Sequence, residues 1–218
     1  VGSEMCIRDR IGREHTAIAA IPQGTAGGTD MKQEEYEKTA ELVLGELDEA
    51  LHLVAPDSVE RLLEAVDAAD QVFFVGVGRV MLALEAIAKR WAHLGVKTHL
   101  VGEITEPAIT PNDLLIVGSG SGTTLFPAGI AQKAHQIGAK IVHIGSNPNS
   151  PLREISEFMV RIPVRTKAYL EDEIDSQQPM TSLFEQSLLL LGDISAKMMI
   201  ERKQLDMKSL WQYHANLE

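Results

Sequence analysis

Four short apolar runs, each closing on glycine, constrain this chain more than any other feature. They are QVFFVG (71–76), KTHLVG (97–102), LLIVG (114–118) and KIVHIG (140–145). Continuous runs of Val, Ile, Leu and Phe that stop at glycine fit strands covered on both faces. Helical periodicity fills the intervals, and strands alternating with helices build a parallel sheet. A weaker fifth run, EFMVRIP, ends at Pro163. The pattern predicts a single α/β domain with a five-stranded parallel sheet flanked by helices.

The helices are legible from spacing. EEYEKTAELVLGELDEALHLV (34–54) places Leu42, Leu44, Leu47, Leu51 and Val54 near one face and predicts an N-terminal helical arm. In DSVERLLEAVDAA, Asp57 and Glu60 are spaced as a capping box. MLALEAIAKRWAHLG should stop at Gly95, and LFPAGIAQKAHQIG at Gly138, with Pro127 tolerated in its first turn. A last long helix is expected from Met180 to Lys203, apolar along Leu183, Leu188, Leu191, Ile194 and Met198. The polar stretch from Val164 to Pro179 is long for a plain connection and reads as a functional loop. The closing KSLWQYHANLE is too short to be a core element.

The totals exclude several function classes. A formal charge of −11 over 218 residues argues against nucleic acid or an anionic membrane as the main partner, though not against an anion held in a locally positive site. The single Cys6 rules out an intrachain disulfide framework or a cysteine-based zinc site and suits a reducing cytoplasm. No run of 18 apolar residues is present to span a membrane. The first ten residues, VGSEMCIRDR, look like translated adapter sequence. Residues 1–30 are therefore expected to be a non-native or disordered leader, with the domain covering 31–218.

Two of the strands end in glycine-rich loops that open helices: Gly76-Val77-Gly78-Arg79 and Gly118-Ser119-Gly120-Ser121-Gly122-Thr123-Thr124. Ligands in open α/β sheets sit beyond the carboxyl ends of strands, where helix N-termini also point. Glycines let backbone amides close on an anion, and hydroxyls add donors without bulk. The second loop therefore reads as a phosphate cradle, against the plainer alternative of a flexible surface turn. GVGRVM partly matches the dinucleotide fingerprint, with Glu103 where a ribose-binding acid would stand, but Met81 replaces the third glycine. No Gly-Lys-Ser/Thr follows the second loop, so a small monophosphate fits better than a nucleoside triphosphate.

With these motifs in place, the chain resembles the sugar isomerase (SIS) family and, within it, the 6-phospho-3-hexuloisomerases. The resemblance covers nearly all of residues 31–218. It rests on GVGR, AKRWAHLG, VGEITEP and GSGSGTT, and on QPMTSLFEQ (178–186) and YHANLE (213–218). It implies isomerisation of arabino-3-hexulose 6-phosphate to fructose 6-phosphate through a cis-enediol, with no cofactor and no metal. By resemblance, Ser119, Ser121 and Thr124 hold the phosphate with Thr123 nearby, and Gly76, Gly78 and Arg79 line the first loop. Glu185 would be the base, and His214 a proton shuttle reaching a neighbouring subunit's site. The resemblance thus implies a homo-oligomer, dimer or tetramer, with shared sites.

Each role has a plainer counterpart. Glu185 could be an acid favoured in a first helical turn, and Arg79 could pair with a surface acid. His93, His99, His135 and His143 read as packing or surface residues, and Glu103 as a strand end. The chain also departs from the family pattern. Val80 and Met81 stand where GxGRSG has serine and glycine, Thr123 where the second loop has glutamate, and Thr181 where glycine follows QPM. These changes bear on which sugar is recognised.

Overall fold

The computed structural model describes residues 29–217, and from Ala40 onward the chain forms one compact unit. The leader expected over residues 1–30 falls, up to residue 28, outside the described residues. Helix α1 spans Thr29–His52 and α2 Pro56–Ala68, followed by β1 (Val72–Val75), α3 (Gly78–Ala92), β2 (Thr98–Leu100) and β3 (Leu114–Gly118). Then come α4 (Leu125–Ile137), β4 (Lys140–Gly145), β5 (Phe158–Arg161) and α5 (Ser182–Arg202), with short 3-10 turns at Pro151–Glu154 and Ser209–Tyr213.

All five strands pair in parallel, in the order β2-β1-β3-β4-β5. The expected five-stranded parallel sheet is therefore what forms. The chain passes from β1 to β2 on one side and then crosses back to β3 on the other, which makes the β1/β3 boundary the topological switch point of the sheet. Val75 is in register with Val117. That register sets Gly76 and Gly118 side by side at the carboxyl edge, so the two loops singled out from sequence share one location.

Side-chain alternation along the strands feeds two cores. Val72, Phe74, Leu114, Ile116, Val142, Ile144 and Val160 meet α2, α3 and α5. Phe73, Val75, Leu115, Val117 and Ile141 pack against the small face of α4 through Ala131 and Ala134. Trp91 is fully buried in the larger core, where its indole N–H donates to the Gly192 carbonyl at 3.2 Å. A Cβ on Gly192 would come within 2.2 Å of Ile87, so this glycine is what lets α3 and α5 approach closely.

Four details differ from the sequence reading. Helix α2 has no Asp57 cap: its N-cap lies two residues earlier, at Ala55, with Pro56 at the first helical position, where proline's fixed φ is already helical. Helix α3 begins at Gly78, so the first glycine loop is only Gly76-Val77. Strand β2 is a half-buried edge strand and not a buried one. Leu44 and Ile194 are exposed (65% and 42%), because the helical stripes to which they were assigned wrap past the surface that the neighbouring elements cover. Among the described residues, no helix is long and apolar enough to cross a membrane.

Candidate active site

The loop after β3 is clamped from the end of β4. Ser119 N–H donates to the Ile144 carbonyl at 3.0 Å, and the Gly120 carbonyl accepts from the amides of Ser146 (2.9 Å) and Asn147 (3.0 Å). The Asn147 side-chain amide donates to the Ser121 carbonyl at 3.2 Å. From beneath, buried His143 donates Nε2–H to the Ser119 carbonyl at 2.8 Å. A carbonyl only accepts, so this bond fixes the Nε2-protonated tautomer. Burial pushes the His143 pKa below its ordinary 6.5, against the smaller upward pull of that hydrogen bond.

The hydroxyls of this loop are ordered among themselves. Ser119 Oγ lies 3.3 Å from Thr124 Oγ1 and accepts from Gly122 N at 3.1 Å; Ser121 Oγ lies 3.1 Å from Thr123 Oγ1. Ser119 and Ser121 are only 4% and 6% exposed. Gly122 has φ +65°, and a Cβ there would fall 2.2 Å from Ser150 Oγ. A Cβ on Gly120 would fall 2.8 Å from the Thr166 methyl. A flexible surface turn has none of these properties. The glycines are required by their neighbours, and four hydroxyls are gathered on a fixed backbone.

The first loop works differently. Val80 packs onto both glycines of the switch point, with Cγ1 3.3 Å from the Cβ position of Gly76 and 3.0 Å from that of Gly118. Gly78, at φ +59°, turns the chain into α3 and presents Arg79. Arg79 Nε donates to Glu185 Oε2, across 106 residues of sequence. Thr181 Oγ1 donates to the other carboxylate oxygen at 2.8 Å, and Glu185 N bonds the Thr181 carbonyl at 3.1 Å. Glu185 is 9% exposed. Its neighbour Phe184 lies 3.7 Å from the Cβ position of Gly120, which brings the start of α5 against the second loop. Of the sequence candidates, Gly76, Gly78, Arg79, Ser119, Ser121, Thr123, Thr124 and Glu185 thus meet at the switch point.

His214 lies elsewhere in the subunit. Its ring stacks on His93 at 5.2 Å and sits 5.1 Å from Trp211, beside a cavity of about 310 Å³ between α3 and α5. His93 follows the last residue of α3, and Arg79 is near its first. At about 1.5 Å per residue that helix separates the two by roughly 20 Å. Glu103 accepts from His99 at 2.9 Å and takes no part in either loop. Sequence reasoning did not single out Ser146, Thr166 or Glu173, which buttress the second loop from stretches with no periodicity, or Glu46, a polar position of α1 that binds Ser176, Gln177 and Gln178. Among the described residues, no group of three His, Cys, Asp or Glu side chains is placed to hold a metal ion.

Comparison with known proteins agrees with this geometry. Residues 66–191 match the model of the SIS domain. The chain belongs to the SIS domain family. It is 35% identical to the 3-hexulose-6-phosphate isomerase of Bacillus subtilis, over 86% of this chain and all of that one. It is 34% identical to the enzyme of the same name from Mycobacterium gastri, over 88% and 96% of the two chains. The crystal structure of a Methanococcus jannaschii protein, inferred to be a 3-hexulose-6-phosphate isomerase, superposes with a TM-score of 0.71 at 27% identity, covering 83% of this SIS chain and 99% of that one.

Proposed function

We propose that the protein is a phosphosugar isomerase that interconverts arabino-3-hexulose 6-phosphate and fructose 6-phosphate. The observation that carries this reading is the meeting of a buried hydroxyl loop with a single oriented carboxylate at the switch point. Ser119, Ser121, Thr123 and Thr124 supply donors for a phosphate, and the helix start at Leu125 adds a favourable dipole. Arg79 and Thr181 each bind one oxygen of Glu185 and fix its plane, leaving further lone pairs on both oxygens for a proton.

In the reaction, Glu185 removes the proton from C2 and returns it to C3, while a hydroxyl proton moves from O2 to O3. The carbonyl passes from C3 to C2 through a cis-enediol with no net gain or loss of atoms. His214 serves as the hydroxyl-proton shuttle of a neighbouring subunit, since α3 keeps it away from the site of its own. That role makes the working form an oligomer, a dimer at least and by family likeness a tetramer. Outside the leader that carries Cys6, residues 31–218 contain no cysteine, in keeping with a cytoplasmic setting. The methyl groups of Val80 at the two glycines favour a second reading, in which the same chemistry acts on another ketose phosphate.

The test is a coupled assay of fructose 6-phosphate formation from 3-hexulose 6-phosphate. Turnover that collapses in Glu185→Gln is the expected result. Absence of turnover, with fructose 6-phosphate still raising the melting temperature, would transfer the activity to another sugar. Absence of both would overturn the reading.

A further inference from the structure

We propose that the segment between β5 and α5 is a strap held by two carboxylates outside the pocket, Glu173 fixing its phosphate-loop end and Glu46 its catalytic end. The kinetic part rests on the isomerase reading; the structural part does not.

Apolar burial holds only the start of this segment, where Ile162 and Val164 are fully buried and Ile174 packs against the same core. Val164 and Ile174 form a bridge, but Tyr169 and Met180 are 72% and 93% exposed. Glu173 replaces packing with hydrogen bonds. Its Oε1 accepts from Ser146 Oγ at 2.6 Å, and its Oε2 accepts from the Leu170 amide at 2.9 Å. Thr166 adds longer bonds from its amide and hydroxyl, both at 3.4 Å. Ser146 in turn donates its amide to Gly120, and the Thr166 methyl lies over the same glycine. Glu173 is therefore one residue removed from the phosphate loop along both routes.

Glu46, on α1, collects three donors from the other end. Ser176 Oγ (2.6 Å) and Gln178 Nε2 (3.0 Å) bind Oε2, and the Gln177 amide (2.7 Å) binds Oε1. Ser176 and Gln178 are nearly buried, so these donors have no easy replacement in water. Burial pushes the Glu46 carboxyl upward, but the three hydrogen bonds and the charge of Arg165 outweigh it and hold the group below the usual carboxylate range. Two residues beyond Gln178, Met180 adopts φ +56°, a conformation that persists only when the chain is fixed on both sides. Glu46 fixes one side, and the Thr181–Glu185 bonds fix the other. Glu46 is thus a positioning residue for the base, and Glu173 one for the phosphate loop.

The experiment compares Glu46→Gln and Glu173→Gln in the full chain, by steady-state kinetics, calorimetry with inorganic phosphate, and amide hydrogen exchange. Glu46→Gln is expected to lower kcat roughly ten- to hundredfold with KM nearly unchanged, and to speed exchange at 181–185 but not at 119–124. Glu173→Gln is expected to raise KM and weaken phosphate binding about tenfold with kcat retained, and to speed exchange at 119–124. Should either variant fold poorly, Ser176→Ala and Ser146→Ala each remove one of the same bonds from the opposite partner and should reproduce the split at smaller amplitude. Equal effects of both variants on kcat and KM, or exchange spread evenly over both regions, would overturn the strap. If wild type shows no turnover of 3-hexulose 6-phosphate, the activity assignment fails, and exchange with phosphate calorimetry still decides the strap.

Discussion

The two glycine loops occupy the same edge of the sheet and are built on opposite plans. The loop after β3 is defined by backbone: seven glycine and hydroxyl residues in a row, every carbonyl from Ser119 to Ser121 held from the β4 side. The loop after β1 is defined by side chains: Val80 fills the space over both glycines, and Arg79 reaches out to Glu185. A group that must be bound the same way throughout a reaction suits fixed backbone and short hydroxyls. A carboxylate that must move a proton suits an orienting side chain. On the proposed reading, the difference assigns anchoring and chemistry to separate elements that meet at the switch point.

Substitutions can break that division at either end. The largest effect is expected for Glu185→Gln, which should lower kcat by about 10²–10⁴ while KM for the sugar phosphate stays near wild type; a change confined to KM would remove Glu185 from the chemistry. Next is Gly122→Ala, which meets both a positive φ and Ser150. It should destabilise the fold by about 1–3 kcal/mol in chemical denaturation and abolish binding of inorganic phosphate in calorimetry. Arg79→Leu should lower kcat roughly tenfold yet cost nothing further in a Glu185→Gln background, the signature of one coupled pair.

A smaller effect concerns pH. His143 binds its proton less readily folded than unfolded, so its contribution to stability is fully present above 6.5 and is lost as pH falls from there toward its lowered folded value. His93, also lowered by its burial and by the nearby charges of Lys89, Arg90 and His214, acts with the same sign. Denaturation midpoints between pH 7 and 5 should therefore decline in wild type and decline less in His143→Gln. Smallest of all, Val80→Ser should shift KM among ketose phosphates a few-fold and leave kcat for the best substrate within the same range.

The strand runs, the glycine loops and the start of α5 were legible because each is written in consecutive residues: apolar run, glycine, hydroxyls, amphipathic helix. What was not legible depends on pairs far apart in the chain. Nothing near Arg79 names Glu185, and nothing in the polar segment 164–179 reveals that Ser176 and Gln178 await a carboxylate from α1. His143 read as a packing or surface residue, and of the two it is the buried one. Only the parallel pairing of β3 with β4 shows that its outer nitrogen reaches the Ser119 carbonyl. The misplaced cap at Asp57 has a similar origin, since two valid helix-start signals overlap at residues 56–60 and proline prevailed. Leu44 and Ile194 show that periodicity reports a stripe without reporting how wide a partner surface will cover it.

The wedge of Val80 against Gly76 and Gly118 has a consequence for how such a protein could change its substrate. With Leu84 Cδ1 2.9 and 2.8 Å from the same two Cβ positions, the floor of the switch point is closely packed, and a side chain added at either glycine would collide with it. The strap between β5 and α5 is polar, and side chains such as Lys167, Glu171, Asp172 and Asp175 are exposed. New specificities are therefore most accessible to evolution, and to a mutational library, through exposed strap positions such as Lys167, Tyr169 and Glu171, where variation spares both the core and the carboxylates that hold the segment.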